Sequence, residues 1–378
     1  VSLAPRLIDS LAAVAPADWD CLARGNPTLA HAFLDALHVS GCAAPRAGWT
    51  PRYLTLWDGK RIAGAVPLYL KAHSYGEYVF DWAWAEAHER HGIAYYPKLL
   101  SAVPFTPATG PRLLAGDLAV RQALAAALVQ LARDLEVSSL HVLFPDEDDA
   151  ACLRAAGMLE RAGIQFHWTN EGFASFEDYL GRLSHDKRKK IRQERRRVAA
   201  SGVTWRRLTG REATEADWDF FMQCYRKTYR EHRSTPYLNR EFFRLLGERM
   251  PDQVLLVIAE QSGRPLAAAL DLFTPEVLYG RYWGSVAFVP GLHFEACYYQ
   301  AMEFCIERGI RRFEGGAQGE HKHARGFLPE VTRSFHWLAH PAFERAVDDF
   351  LEREGGAVSA YVDELRERTP FRKDDVEG

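Results

Sequence analysis

The chain has 378 residues, of which 47% are hydrophobic and 26% charged, with a formal net charge of −3. This is globular composition at a length suited to two domains with large cores, which excludes disordered, collagenous and coiled-coil chains. The near-neutral balance argues against coating nucleic acid along the whole surface but leaves room for a local basic patch.

In chain order, Ala17-Asp18-Trp19-Asp20 precedes a helical segment with Phe33, Leu34 and Leu37. Apolar runs at 53–57 and 62–70 flank Asp58-Gly59-Lys60 and predict a β-hairpin. Then Lys71, His73, Glu77, Asp81, Trp82 and Trp84 form a dense polar and aromatic run. Strand alternation would set His73, Glu77 and Asp81 on one side. A core strand rarely carries so many ionisable groups, so this run is expected to be a ligand-binding face. An Ala- and Leu-rich amphipathic helix is predicted over 119–136 and a strand over 139–144.

Residues 187–197 read KRKKIRQERRR, within a helix expected over 184–201 that has Ser184 as N-cap and Gly202 at its end. Ile191 and Val198, seven residues apart, mark its packed face. The other faces are cationic and suit a phosphate or nucleic acid. The tetrapeptide then returns as Ala216-Asp217-Trp218-Asp219, followed by Phe242, Phe243, Leu245 and Leu246 and a second hairpin, 254–260 and 265–273, around Gly263. The offset between matched features stays near about 200 residues, which predicts two copies of one αβ unit with a boundary near 165–180. A strand over 277–286, a helix over 293–308 capped by Gly309, and strands opening at 312–314 and over 333–339 complete the reading. A meander followed by a crossover helix predicts an α+β fold with a mixed, mostly antiparallel sheet.

Six cysteines, at 21, 42, 152, 224, 297 and 305, contain no CxxC pair and fit neither a zinc ribbon nor a disulfide framework. A reducing, cytoplasmic location is expected. No apolar run approaches the ~20 residues of a membrane span, and 1–16 lacks a signal-peptide pattern. Glu314, Gln318, Glu320, His321, Lys322, His323 and Arg325 cluster with Gly315, Gly316 and Gly319, a combination that suggests close backbone approach to a ligand. His321-x-His323 has no further ligand at metal spacing, so no metal is expected.

Residues 296–312, ACYYQAMEFCIERGIRR, precede Phe313-Glu314-Gly315-Gly316 and HKHARGF at 321–327. This resembles the Fem-type peptidoglycan aminoacyltransferases, in which a helix carrying LQWxAIxxAKxxGxxxYxFxG is followed by FKxGFG. SHDKRKKIRQERRRVAASGV at 184–203 resembles their KxRYNIRxAxKxGV segment. More specifically, the chain resembles the bacterial Fem-like N-acyltransferases. Their marks here are KAHSYGEYVFDWAW at 71–84, YYPKLLSAVPFTPATGPRLL at 95–114, QFHWTN at 165–170, Tyr282-Trp283-Gly284 and LHFEACYYQAMEFCIERGIRRFEGGAQG at 292–319.

The resemblance spans nearly the whole chain. It implies tandem GNAT-like acyltransferase domains and N-acyl transfer. On this reading 1–170 contributes to the acceptor site and 171–378 carries the catalytic donor site, with the basic helix at the junction. Two features depart from the relatives. FVPGLHFE at 288–295, where acetyl-CoA enzymes carry a Q/RxxGxG/A pyrophosphate loop, has one glycine and no arginine. There is also no room for a coiled-coil arm.

Acyl transfer to an amine needs a proton acceptor, oxyanion stabilisation and a protonated leaving group. Glu295, Tyr282, Lys322 and Glu314 are the catalytic candidates. Lys71, His73, Glu77, Asp81, Trp82, Arg281, His293, Gln318, His321 and Arg325 are expected to bind substrate, and Lys187, Arg188, Lys189, Lys190 and Arg192 to meet phosphate. No permanently bound cofactor is expected. The donor is aminoacyl-tRNA, slightly favoured, or acyl-CoA, the acceptor is a small-molecule or peptide amine, and tRNA is a candidate partner. Two alternatives stand beside this: an acyl-CoA-dependent N-acetyltransferase, and a non-catalytic module that binds tRNA or a cell-wall precursor.

Overall fold

In a computed structural model that describes residues 3–317 and 319–372, the chain divides into two units, 1–164 with 331–361 and 165–330 with 362–378. It passes from the first to the second inside strand Leu159–Thr169 and returns inside strand Leu328–Leu338. The division at 164/165 falls near the expected 170/171, but the first unit also takes a later segment, which no linear repeat would reveal. The basic helix, His185–Ala200, lies inside the second unit.

The first unit carries an antiparallel sheet in the order Ala4–Ile8, Tyr53–Asp58, Arg61–Val66, Leu114–Ala115. A second set pairs Trp49–Pro51, Leu68–Lys71, Lys98–Ser101, Ser139–Leu143 and residues 334–338. Lys98–Ser101 runs parallel to Ser139–Leu143, and helix Leu118–Asp134 provides the crossover. Asp117 caps that helix by accepting from the Val120 N–H at 2.9 Å. Leu124, Leu128, Leu54, Leu99, Val142 and Leu153 meet in the core.

The single strand expected over 62–70 is two strands. Pro67 lacks the N–H a continuous ladder needs, so Arg61–Val66 stays in one sheet and Leu68–Lys71 enters the other. The alternation expected through His73, Glu77 and Asp81 does not occur. Pairing ends at Lys71, residues 72–81 form a loop, and helix Trp82–Arg90 begins directly after it.

The second unit is built on the order Val203–Thr209, Val254–Gln261, Arg264–Phe273, Val277–Ser285, Arg312–Glu314 and residues 167–169. All neighbours are antiparallel except Val277–Ser285 and Arg312–Glu314, which run parallel. The connection between them is the helical segment 292–308, whose residues Glu295–Tyr299 form a π-helical turn. Gly309, at φ 68°, closes it in the left-handed conformation that L side chains disfavour. The repeated tetrapeptides fall on helices Pro16–Ala23 and Glu215–Glu231. The second has a complete capping box, Thr214 with Asp217. A C-terminal helix, Pro341–Glu367, lies beyond the elements expected from sequence, although Val347, Leu351, Val362 and Leu365 mark its buried side. Among the described residues no helix is long and apolar enough to cross a membrane.

Candidate functional site

The parallel pairing of Val277–Ser285 with Arg312–Glu314 covers only three residue pairs and ends at Tyr279 with Glu314. Beyond it the two segments diverge. On its other edge Val277–Ser285 carries a β-bulge: Leu270 pairs with Tyr282 and Asp271 with Gly280, which leaves Arg281 as the extra residue. A bulge re-aims side chains and disrupts pairing. The result is a pocket of about 520 Å³. Its walls are Ala269 and Asp271, the bulged run Gly280 to Trp283, His293, Cys297 and Tyr298 from the crossover helix, Phe313, Gly315 to Ala317, and His321 with Lys322. Thr228 and His232 of helix Glu215–Glu231 close it.

The 3-10 turn Glu320–Arg325 brings Lys322 in. Its Nζ donates to the Gly316 carbonyl at 3.2 Å, and burial lowers its pKa to about 8. His293 is held neutral, its pKa lowered to about 4, first by burial and then by His321, Arg325 and Lys322. Burial and the cations Lys322 and Arg325 also lower His321, whose Nε2 lies 2.9 Å from the Tyr298 hydroxyl. Arg281 lies against Tyr282, with a 3.0 Å contact to the hydroxyl. The pocket thus holds a cation that can lose its charge near neutral pH, two uncharged imidazoles, and backbone N–H groups on a strand whose parallel partner has ended.

Asp271 was not singled out in the sequence. It is fully buried at the pocket wall, and burial raises its carboxyl well above the carboxylate range, with only Arg281 opposing. The sequence did carry a signal: Asp271 is the one charged residue in the buried stretch LAAALDLF. Its neighbour Gly280 leaves the carboxyl reachable, because a Cβ there would stand 3.6 Å from Asp271 Oδ1 and 3.1 Å from the Phe313 ring.

Of the residues expected from sequence, Tyr282, Lys322, Arg281, His293 and His321 come together in this pocket. Gln318 lies outside the described residues. Three others are placed elsewhere, and each has a physical reason. Glu295 is not in the pocket. Its carboxylate is gripped by Arg195 of the basic helix at 2.9–3.2 Å and by Gln300 at 2.9 Å, so its lone pairs are occupied. Glu314 follows Phe313 on a strand; Phe313 lines the pocket, so Glu314 points to the opposite face and pairs with Arg312 at 2.9 Å. Arg325 is a brace. It donates to Glu194 at 2.7 Å, to Tyr299 at 3.0 Å and to the His321 carbonyl at 2.7 Å, and covers the Phe294 ring.

The basic helix is therefore clamped twice to the crossover helix and its following turn, through Arg195 with Glu295 and Glu303 and through Glu194 with Tyr299 and Arg325. Ile191 and Val198 are its buried face, as the spacing predicted. Lys189 and Lys190 are exposed and Lys187 and Arg188 half-buried, whereas Arg192 is paired with Glu177 at 2.5 Å. Glu295→Ala is expected to destabilise the fold by about 1–3 kcal/mol, the scale of a buried charge-assisted hydrogen-bond partner removed. Its kcat should change far less than that of a pocket variant; urea denaturation beside a transfer assay separates the two.

In the first unit Lys71, Glu77 and Asp81 come together with Lys98, a residue the sequence reading missed. They are buried. Lys98 Nζ contacts Glu77 at 2.8 Å, Asp81, and Ser74 at 2.8 Å, and Lys71 lies 3.7 Å from Glu77. His73 and Trp82 make other contacts: His73 meets the Ala47 carbonyl and Trp82 packs at a tilt against Tyr75. Among the described residues no three His, Cys, Asp or Glu side chains are grouped to hold a metal ion.

Comparison with known proteins adds the following. Residues 10–373 match the model of the FemAB-like family, described as peptidoglycan biosynthesis/recognition. No curated protein sequence matches the chain. Among solved structures, FemX is 11% identical with a TM-score of 0.54, covering 89% of this chain and 98% of its own. L-PGS from Bacillus licheniformis is 10% identical with a TM-score of 0.52, covering 89% and 97%. A tandem GNAT protein from the clavulanic acid biosynthesis pathway is 13% identical with a TM-score of 0.47, covering 90% and 99%. At such identities the FemX and L-PGS matches are matches of fold.

Proposed function

The chain belongs to the FemAB-like family, and from that premise we propose that it transfers an acyl or aminoacyl group to an amine, with aminoacyl-tRNA as donor and a peptide amine of a cell-wall precursor as acceptor. The observation that carries this is the pocket where the two parallel strands part, with Lys322 beside the bulge. The acceptor nitrogen attacks the ester carbonyl, forming the N–C bond. The oxyanion develops beside the Lys322 ammonium and the backbone N–H groups of the bulged strand. His293 or His321, both uncharged, takes the proton that the amine loses. The C–O bond then breaks, and the ribose hydroxyl of the tRNA leaves with a proton.

Lys187, Arg188, Lys189 and Lys190 supply phosphate contacts on this reading, and Arg192 would exchange its exposed pairing with Glu177 for a phosphate. No resident cofactor is required, and the proposed location is cytoplasmic. The segment 288–295 supports the choice of donor, since it offers a single glycine and an exposed Phe288 where a pyrophosphate loop would stand.

The test sets two donors side by side. Aminoacyl-tRNA should bind with a log K that falls linearly with log salt, and each of the four cations removed should lower the slope by roughly 0.7–0.9. Saturating acetyl-CoA should leave the unfolding temperature unchanged, whereas a true ligand at about 100 times its Kd adds about 2.7 kcal/mol. Stabilisation and transfer with acetyl-CoA, and neither with aminoacyl-tRNA, would replace this reading by the acyl-CoA-dependent one. Binding of tRNA with no transfer to any amine would leave a binding module.

A further inference from the structure

The pocket proposed for the acyl donor contains a group that the mechanism above does not use. Asp271 lies in strand Arg264–Phe273, on the wall of the pocket beside the side-chain-free Gly280. It is 2% exposed, and its Oδ2 has no hydrogen-bond partner among the described residues. A buried carboxyl oxygen without a hydrogen-bond partner is costly, and folded proteins keep few of them.

We propose that Asp271 is the specificity-determining residue of this pocket, pairing with an ammonium group carried by the acyl moiety that is transferred. The inference rests on the transferase reading and deepens it by assigning the residue that recognises the amino group of the transferred moiety. The groups facing Asp271 support a cationic ligand. Among the described residues Arg281, on the neighbouring strand, is the one charge that favours its ionised form; Cys297 and Cys305, from the crossover helix, are thiols raised first by burial.

The ammonium belongs to the donor rather than to the attacking amine. The nucleophile must be uncharged when it attacks, and a neutral amine gives a carboxyl no reason to ionise. A bystander ammonium does. Its arrival converts Asp271 from the acid held by burial to the carboxylate, and one proton leaves. The same site discriminates against acyl groups lacking the cation, because the carboxyl is then left buried and unpaired.

The experiment uses the full chain and two probes, L-alaninamide and N-acetyl-L-alaninamide, which differ in whether the nitrogen can carry a charge. Calorimetric titration in two buffers of different ionisation enthalpy reads affinity and proton release together. Alaninamide should bind at least about tenfold more tightly than the acetylated probe, a difference of about 1.4 kcal/mol, and should release a proton. Asp271→Asn, a near-isosteric change, should abolish both the preference and the proton release while the unfolding temperature holds or rises. Asp271→Leu provides a second variant with the same expected loss. Equal affinities of the two probes, no binding of either at the highest soluble concentration, or a preference that survives in both variants would overturn the proposal. Selective binding of alaninamide by a chain that transfers no acyl group would retain Asp271 in this role and remove the transferase reading instead.

Discussion

Lys322→Met is expected to lower kcat by about 10²–10³-fold, the range seen when one preorganised oxyanion-stabilising donor is removed, with the fold intact. The pH profile decides how Lys322 acts. Burial sets its pKa at about 8 and that of His293 at about 4. If Lys322 serves as the cation and His293 as the proton acceptor, kcat/KM should rise through about pH 4, hold, and fall as the pH climbs through about 8. Lys322→Arg should keep part of the activity and move the upper limb out of range, because guanidinium stays charged. A profile that rises through pH 8 would make Lys322 the base and overturn its role as the cation. The stability of the protein offers an independent check. The folded state binds fewer protons on Lys322 than the unfolded chain between about pH 8 and 10.4, so its contribution to stability rises with pH over that window and vanishes in the Met variant.

The two-unit α+β architecture was legible because it is written in local signals. Hairpin glycines, the spacing of Ile191 with Val198 and the repeated tetrapeptide each act over a few residues, and the hairpins, the packed face and the two helices are found there. The parts that were missed depend on distance or on irregular backbone. Glu295 reads as a first-turn acid of a regular helix, where an anion would sit well. The π-helical turn at Glu295–Tyr299 shifts the register, so that His293, Cys297 and Tyr298 reach the pocket and Glu295 meets Arg195, from a helix about 100 residues earlier. No 3.6-residue period can report that shift. Glu314 is misread for a simpler reason: it sits in the right strand on the wrong face. Asp271 was legible in principle, because one acid in an apolar strand must be either paired or functional. The alternation argument for His73, Glu77 and Asp81 used the wrong local structure, yet two of the three residues converge with Lys71, since a loop can bury charge where a partner waits.

That partner is Lys98, and Lys98→Met is expected to destabilise the protein by about 3–5 kcal/mol in urea denaturation, the scale of a broken buried ion pair. Lys98 and its carboxylate partners are 0–3% exposed at their side chains. Burial opposes the charge on Lys98, but Glu77 and Asp81 outweigh it and raise its pKa. Without Lys98 the one lysine left beside the two carboxylates, among the described residues, is Lys71, 3.7 Å from Glu77 and itself lowered to about 7 by burial. Protonation is the remaining escape. In the variant both carboxyls titrate higher in the folded than in the unfolded chain, so folding takes up protons and stability should fall as pH rises from about 5 to 8. His141 provides partial relief. Its ring contacts Tyr95, which donates to Asp81 at 2.6 Å, and burial followed by Lys98 holds it neutral, so loss of Lys98 lets it rise. The triple variant Lys98→Met, Glu77→Gln, Asp81→Asn should regain most of the lost stability, because it removes the charges together. The acceptor-face expectation predicts otherwise: a higher KM for the acceptor with a nearly unchanged unfolding midpoint. A cluster sealed this completely has no surface to offer an acceptor, and that difference in readout is why stability should move first.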